Sequence, residues 1–409
     1  MSPHLPSPSS QKPPLRVAVL TTSFPLTPTA VSGPFVLRLV QSLPPSVKAI
    51  VITPSGIESE QLRADANYQL RCFRYAPRTW QQLAHQPGGI PAALKQRRTF
   101  YLLLPVFLGS MFLTCLRTAR EVDLIHANWS VNGIIAGIVG WLTGKPVITT
   151  LRGQDVNRSQ SSWAYQLILG LCMRLSNHVV AVSESVRFTA AQKFPVQNNK
   201  LTVISNGVEQ YFLDIGERRI QTRTQGLSLI TISSLIPSKG VERIIQAVNL
   251  LQGEIGLNLT IVGSGPEKEK LQKLAASLGL DKKVYFTGNV TPDDIPKYLE
   301  KADVFVFASH SEGRPNVLLE AMAASLPIIA TSIPGIKEIV QDKKTGLLFP
   351  PSAVEILADQ LRRLSQDNHL RQQLVKNARQ FILDQGLFWA HTGSRYAELY
   401  RQSLIKPIR

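Results

Sequence analysis

The sequence predicts an α/β protein built from two doubly wound, parallel-sheet domains, and three observations carry that expectation. Short apolar runs rich in β-branched residues alternate with longer helical stretches, the grammar of βαβ units. A polar stretch without periodicity breaks the alternation once, around residues 207–226. A chain of 409 residues with 44% hydrophobic content is too long for one ordinary core and apolar enough to fill two.

Residues 1–14 are rich in Pro and Ser and lack both a charged start and an apolar core, so they read as a disordered leader rather than a signal peptide. The body of the chain is therefore expected in the cytoplasm. The first domain is placed at 15–209. Its opening run RVAVLTT (16–22) has the unbroken apolar character of a buried parallel strand, followed by strands near 49–53, 124–127, 147–151, 179–182 and 201–204. A linker is placed at 210–226. The second domain, 227–386, repeats the grammar with strands near 229–233, 257–263, 284–288, 304–308 and 327–331. The tail, 387–409, is helical and is expected to pack back across the linker.

The net charge of +17 is uneven, with 20 basic against 8 acidic residues in 1–209 and 25 against 20 in 210–409. Such a surface suits anionic lipid or a phosphorylated substrate. Nucleic acid is disfavoured, because no zinc finger, basic repeat or aromatic RNP-type strand accompanies the charge. Cys72, Cys115 and Cys172 are too widely spaced for a disulfide framework or a zinc site. Residues 99–116 carry no charge and are flanked by Arg97, Arg98, Arg117 and Arg120. A membrane span there would split one sheet, which leaves a buried core helix or a helix lying in the plane of an anionic membrane.

The most informative chemistry is SHSEGRPNVLLEAMA, residues 309–323. It follows an apolar strand, where open α/β sheets place their ligand crevices. Pro315 suits the first turn of a helix, and Asn316 and Glu320, four apart, share one face of it. Glu312 lies in the loop just before, and the helix start, with free amides and a partial positive charge, suits a diphosphate. Lys239, after a strand and beside Gly240, has the setting of a phosphate loop.

Glu312 and Glu320 match the E-x7-E pattern of the family-4 retaining glycosyltransferases of GT-B fold, and EGRPNVLLEAMA resembles that family closely. The resemblance runs in order along nearly the whole chain: SGP at 32–34, DLIHANW at 123–129, TLRGQDVN at 150–157, VAVSE at 180–184, VISNGV at 203–208, SKG at 238–240, GSGP at 263–266 and GLLFP at 346–350. TLRGQDVN and EGRPNV look most like bacterial members that build exopolysaccharide or cell-wall polymers. The resemblance implies two Rossmann-like domains facing each other across a cleft, and transfer of a sugar from a UDP-, GDP- or ADP-sugar to a glycan or lipid-linked acceptor, with no metal and no cofactor. It implies that Glu320 holds the nucleotide ribose, that Glu312 contacts the transferred sugar, and that Lys239 binds the diphosphate. Gly33, Gly313, Arg314, Asn316 and Val317 are the other implied donor contacts. His126 is a catalytic candidate, and Asn128, Arg152 and Asp155 are candidates for sugar or acceptor contact. Two positions depart from the pattern: Ser234 stands where relatives carry an arginine five residues before the lysine, and Asn128 where many carry a second histidine.

Structural readings stand beside these. His126 could be a satisfied core histidine, and Arg152 and Asp155 could simply pair across their turn. GSGP at 263–266 lacks the third glycine of a dinucleotide fingerprint, and Asp293-Asp294 is better placed to cap a helix than to hold a metal. Ser234 raises the alternative of a catalytically impaired nucleotide-sugar-binding scaffold. A nucleotide-sugar 2-epimerase, which uses a related two-domain fold, is the remaining enzyme alternative.

Overall fold

The structure, a computed structural model, describes residues 13–27, 30, 32–57, 67–85, 89–194, 200–219 and 227–405. The first sheet contains β1 (Leu15–Leu20), β2 (Val47–Pro54), β3 (Tyr68–Phe73), β4 (Leu124–Asn128), β5 (Val147–Leu151), β6 (His178–Ala181) and β7 (Leu201–Val203). Its order is β3-β2-β1-β4-β5-β6-β7, with every pairing parallel. The second contains β8 (Leu227–Ile232), β9 (Leu257–Val262), β10 (Val284–Gly288), β11 (Val304–Phe307), β12 (Ile328–Thr331) and β13 (Leu347–Phe349), in the parallel order β10-β9-β8-β11-β12-β13. The strands β3 and β13 were not anticipated from sequence.

In each sheet the direction of winding reverses once, between β1 and β4 and between β8 and β11. Such switch points leave a crevice beyond the carboxyl ends of the strands. The helices that shape the crevice and its surroundings are α1 (Pro34–Ser42), α2 (Leu104–Ala119), α3 (Ser130–Thr143), α4 (Trp163–Leu175), α5 (Glu184–Lys193), α6 (Gln210–Arg219), α7 (Val241–Leu250), α8 (Asn316–Ala323) and α9 (Trp389–Ile405).

The expected irregular linker is corrected in its first half, because α6 occupies it. Phe212, Leu213 and Ile215 are buried against the second domain's core, which holds the segment helical despite its polar text. Residues 220–226 lie outside the described residues. The tail helix α9 packs on the first domain, where Tyr396 and Tyr400 join the core beneath β1, β4 and β5. The chain thus crosses between domains twice, and the two crossings touch: Val208 N donates to Leu387 O at 2.9 Å, and Trp389 N donates to Val208 O at 3.3 Å. A Cβ on Gly207 would stand 2.2 Å from the Phe388 backbone, so the close crossing requires glycine there.

The apolar stretch 99–116 forms a short 3-10 turn (Arg98–Leu103) leading into α2. One face of α2, with Phe107, Met111 and Cys115, is buried on the first sheet. That packing agrees with the sequence's argument against a span, since withdrawal into a bilayer would open the core.

Candidate active site

Three of the four switch-point strands, β1, β8 and β11, deliver a loop to one interdomain cavity of about 450 Å³. The loop after β1 brings Gly33 to the start of α1. Gly33 is left-handed, with φ of 70°, and a Cβ there would sit 2.2 Å from the Ser23 carbonyl oxygen. The requirement for glycine therefore arises within the loop itself, which lets Gly33 and Pro34 line the cavity.

On the opposite wall, β8 delivers Ser233, Ser234 and Lys239. Gly240, at φ of 61°, closes against the Ala308 carbonyl at the end of β11, and His310 N donates to Ser238 O at 2.8 Å. The lysine loop is thereby fixed to the loop carrying Glu312. Lys239 Nζ lies 2.5 Å from Glu312 Oε1, and Ser309 Oγ donates to the same oxygen at 2.6 Å. The pair is largely enclosed, with side-chain exposures of 17% and 12%.

Helix α8 begins one turn further on. Pro315 occupies its cap position rather than its first turn, no side chain among the described residues caps the helix, and Pro315, Asn316 and Val317 at its start line the cavity. Glu320, one turn deeper, lines the same cavity. Burial pushes its carboxyl up to about 7; Arg38 acts against that rise and Glu209 adds to it. Arg38 Nε itself pairs with Glu209 Oε1 at 3.2 Å. Two buried polar atoms beside this wall, Ser233 Oγ and Arg314 Nε, have no hydrogen-bond partner among the described residues. Burial also lowers the pKa of the Arg314 guanidinium, with Glu338 opposing. Unpartnered donors, an ammonium and an uncapped helix start together suit an anionic, multiply hydrogen-bonding ligand.

The first domain's candidates divide. Arg152 reaches the cavity, stacks 4.7 Å from the Phe35 ring, and donates to Asn128 Oδ1 and Asn206 Oδ1. Asn206 Nδ2 in turn donates to Asn316 Oδ1 at 3.0 Å, which ties both walls together. Asn128 is buried behind Arg152 and orients it instead of lining the cavity.

The structure places Asp155, a candidate for sugar or acceptor contact, outside the cavity lining. It is buried, its Oδ2 accepts from Ser130 N at 3.1 Å, and it thereby serves the start of α3. It forms no ion pair with Arg152 among the described residues, although, against the lowering that burial imposes, its charge acts to raise the pKa of that guanidinium. The structure places His126, the catalytic candidate of the sequence, outside the cavity lining. It is fully buried, with Nδ1 2.7 Å from the Tyr400 hydroxyl, Nε2 2.8 Å from Thr150 Oγ1 and its ring stacked on Tyr396. Burial and the nearby Arg152 push its pKa down to about 3, so the imidazole is neutral and both nitrogens are engaged. Gly313 does not line the cavity. Its place is the domain contact, where a Cβ would stand 2.6 Å from Arg152 O and 2.8 Å from Gly153 Cα. Asp294 does not cap its helix through its side chain, which is taken by Thr291 Oγ1 at 2.7 Å and Lys297 Nζ at 2.7 Å.

Sequence reasoning missed Arg38, Asn206, Glu209 and Tyr211, all of which line the cavity. Asn206 lies inside VISNGV, so the motif carried a signal; the other three become visible only once the crossings and α1 are folded together.

Two parallel-sheet domains facing each other across such a cleft are the GT-B architecture of glycosyltransferases. Residues 34–210 match the model of Glycosyltransferase Family 4, and residues 217–381 match that of Glycosyl transferases group 1. The two matches together span most of the chain, which belongs to the family-4, group 1 glycosyltransferases. It is 26% identical to N-acetyl-alpha-D-glucosaminyl L-malate synthase of Bacillus anthracis, over 65% of this chain and 71% of that protein. It is 32% identical to a GDP-mannose-dependent alpha-(1-6)-phosphatidylinositol monomannoside mannosyltransferase of Mycobacterium tuberculosis, over 42% of this chain and 47% of the other. The solved structure of Anabaena HepE in complex with UDP and glucose superposes with a TM-score of 0.73 at 20% identity, covering 95% of this chain and 100% of that one.

Proposed function

We propose that the chain is a retaining glycosyltransferase that moves a sugar from a nucleotide-diphosphate sugar to a glycan or lipid-linked acceptor in exopolysaccharide or cell-envelope polymer synthesis, without a metal. The observation that carries this reading is the Lys239–Glu312 pair at the mouth of the uncapped α8 helix, with Glu320 one turn beyond. The spacing suits a diphosphate at Lys239 and the helix start, the sugar at Glu312 and the ribose diol at Glu320.

In the proposed reaction the acceptor oxygen bonds to the anomeric carbon on the face from which the diphosphate departs. The anomeric carbon–oxygen bond breaks, its electron pair stays on the diphosphate, and a phosphate oxygen takes the acceptor proton. The enclosure of His126 supports this account, since no free imidazole reaches the cavity from that strand end. Catalysis then rests on positioning and on stabilising the departing charge. Lys239, Arg314 and the α8 amides supply that stabilisation, with Arg314 taking the part of the cation missing at Ser234. Nucleotide sugars incubated with and without acceptor provide the test. Transfer or slow hydrolysis by the wild type above the Glu312→Gln background supports it. Equal backgrounds favour a binding scaffold, and a new nucleotide sugar formed without acceptor favours an epimerase.

A further inference from the structure

Helices α2, α3 and α4 lie side by side on the outer face of the first domain, and each is apolar on the side it turns away from the sheet. On α2 and the turn before it, Leu102, Val106 and Leu113 are exposed while Phe107, Met111 and Cys115 are buried, so opposite faces of one helix are both apolar. On α3 the outward positions are Val131, Ile138 and Trp141, and on α4 they are Trp163, Leu167 and Leu171, each series at helical spacing. Leu102, Trp141 and Trp163 are about four-fifths exposed, at 79%, 80% and 79%. Single exposed apolar residues need no explanation, but three adjoining stripes do.

The charges within the three segments that hold these helices are of one sign, and Glu121, which follows Arg120, is paired with Arg71 at 2.9 Å. Residues 98–120, 130–147 and 156–178, which hold the three helices, contain no Asp or Glu. Arg117 and Arg120 end α2, Lys145 follows α3, and Arg174 lies in the last turn of α4. Arg97, Arg98 and Arg158 lie just before α2 and α4. In a parallel sheet all three helices run away from the strands' carboxyl ends, so basic residues sit at both ends of the apolar stripes, one end beside the cleft rim. The α2 helix of 16 residues makes the band roughly 24 Å long.

We propose that this three-helix face docks on the surface of an anionic lipid bilayer, with Trp141, Trp163 and the stripe of Leu102 entering the headgroup boundary and the arginine rows meeting lipid phosphates. Charge complementarity selects lipid over a second copy of the chain, because a copy would bring the same uncompensated cations to the contact. The face is wider than the segment 99–116 that the sequence marks. Docking there leaves the cleft rim facing the membrane edge, where a lipid-linked acceptor would arrive. The docking itself stands whether or not transfer is observed.

The test is co-sedimentation of the full chain with vesicles of phosphatidylcholine alone or mixed with phosphatidylglycerol. The wild type is expected to sediment with the mixed vesicles, to be released by added salt, and to remain in solution with phosphatidylcholine alone. The Trp141→Glu/Trp163→Glu chain is expected to bind at least about tenfold more weakly while keeping its melting temperature and nucleotide affinity. Should that chain fail to fold, quenching of wild-type tryptophan fluorescence by lipids brominated near the headgroup gives the same answer. A wild type that stays in solution with both vesicles, a variant that sediments unchanged, or a lipid-free dimer that the tryptophan changes dissociate would each overturn the proposal.

Discussion

Lys239 and Glu312, carried by the two strands that flank the switch point of the second sheet, close a 2.5 Å ion pair on the cavity wall. An arriving diphosphate must therefore draw the ammonium away from, or share it with, a carboxylate. Removing only the charge of that carboxylate frees Lys239. Glu312→Gln is expected to bind nucleoside diphosphate about 3- to 10-fold more tightly while transfer falls by about 10²-fold or more. Calorimetric titration and initial rates measure the two effects; weaker nucleotide binding by the variant would show that the pair organises the site rather than competing for the phosphate.

Glu320 makes the site pH-dependent. Burial raises its carboxyl from 4.5 to about 7, so the folded protein favours the neutral acid. Its stabilising contribution is complete below the unfolded value and is lost as pH rises through the folded one. Wild type is therefore expected to lose about 1–3 kcal/mol relative to Glu320→Gln between pH 4.5 and 7. A ribose diol donating to the carboxylate favours the ionised form, so nucleotide affinity should rise toward pH 8 and flatten in the variant. Parallel pH profiles for both chains would contradict a ribose contact.

The legible part of the site was the part that is local in sequence. Glu312, Asn316 and Glu320 are brought together by one strand end and one helix turn, and Lys239 by another strand end, so each sits in a short local motif that the family resemblance could mark. His126 was illegible because its partners, Tyr396 and Tyr400, arrive on the returning tail helix more than 250 residues later. Arg38 and Tyr211 likewise acquire a role only when the crossings bring α1 and α6 to the cleft. The alternation of strands and helices gave both sheets, but β13, three residues long, and the half-exposed β3 carried too short or too polar a pattern. The helix α6 hid in the supposed linker because Phe212, Leu213 and Ile215 are set among charges that face solvent or Arg379.

The enclosure of His126 has its own consequence. His126→Ala is expected to destabilise the chain by about 2–4 kcal/mol, since it removes a buried ring and the Tyr400 hydroxyl's partner, while Thr150 Oγ1 keeps the Tyr396 hydroxyl. With its pKa held down to about 3, the histidine contributes stability that is present above 6.5 and lost toward 3, so the variant's melting temperature should fall less steeply with acid. Nucleotide affinity of the folded fraction should stay unchanged. A variant with native melting behaviour and transfer reduced a hundredfold would restore the histidine to the chemistry.

Gly313 marks where the two domains touch. Its backbone angles admit alanine, but the added Cβ would press on Arg152 O and Gly153 Cα. Gly313→Ala is expected to hold the walls apart and to lower transfer about tenfold or more, with little change in the melting of the chain. Small-angle scattering and initial rates measure both; full activity at an unchanged radius would show that the contact does not govern closure.

The most direct measurement is a structure with bound nucleotide, using whichever of the UDP-, GDP- or ADP-sugars most raises the melting temperature. The diphosphate is expected within hydrogen-bond reach of Lys239 Nζ and the leading amides of α8, with both ribose hydroxyls on Glu320. A nucleotide lodged outside this cavity, or a Glu320 carboxylate turned away from it, would contradict the account.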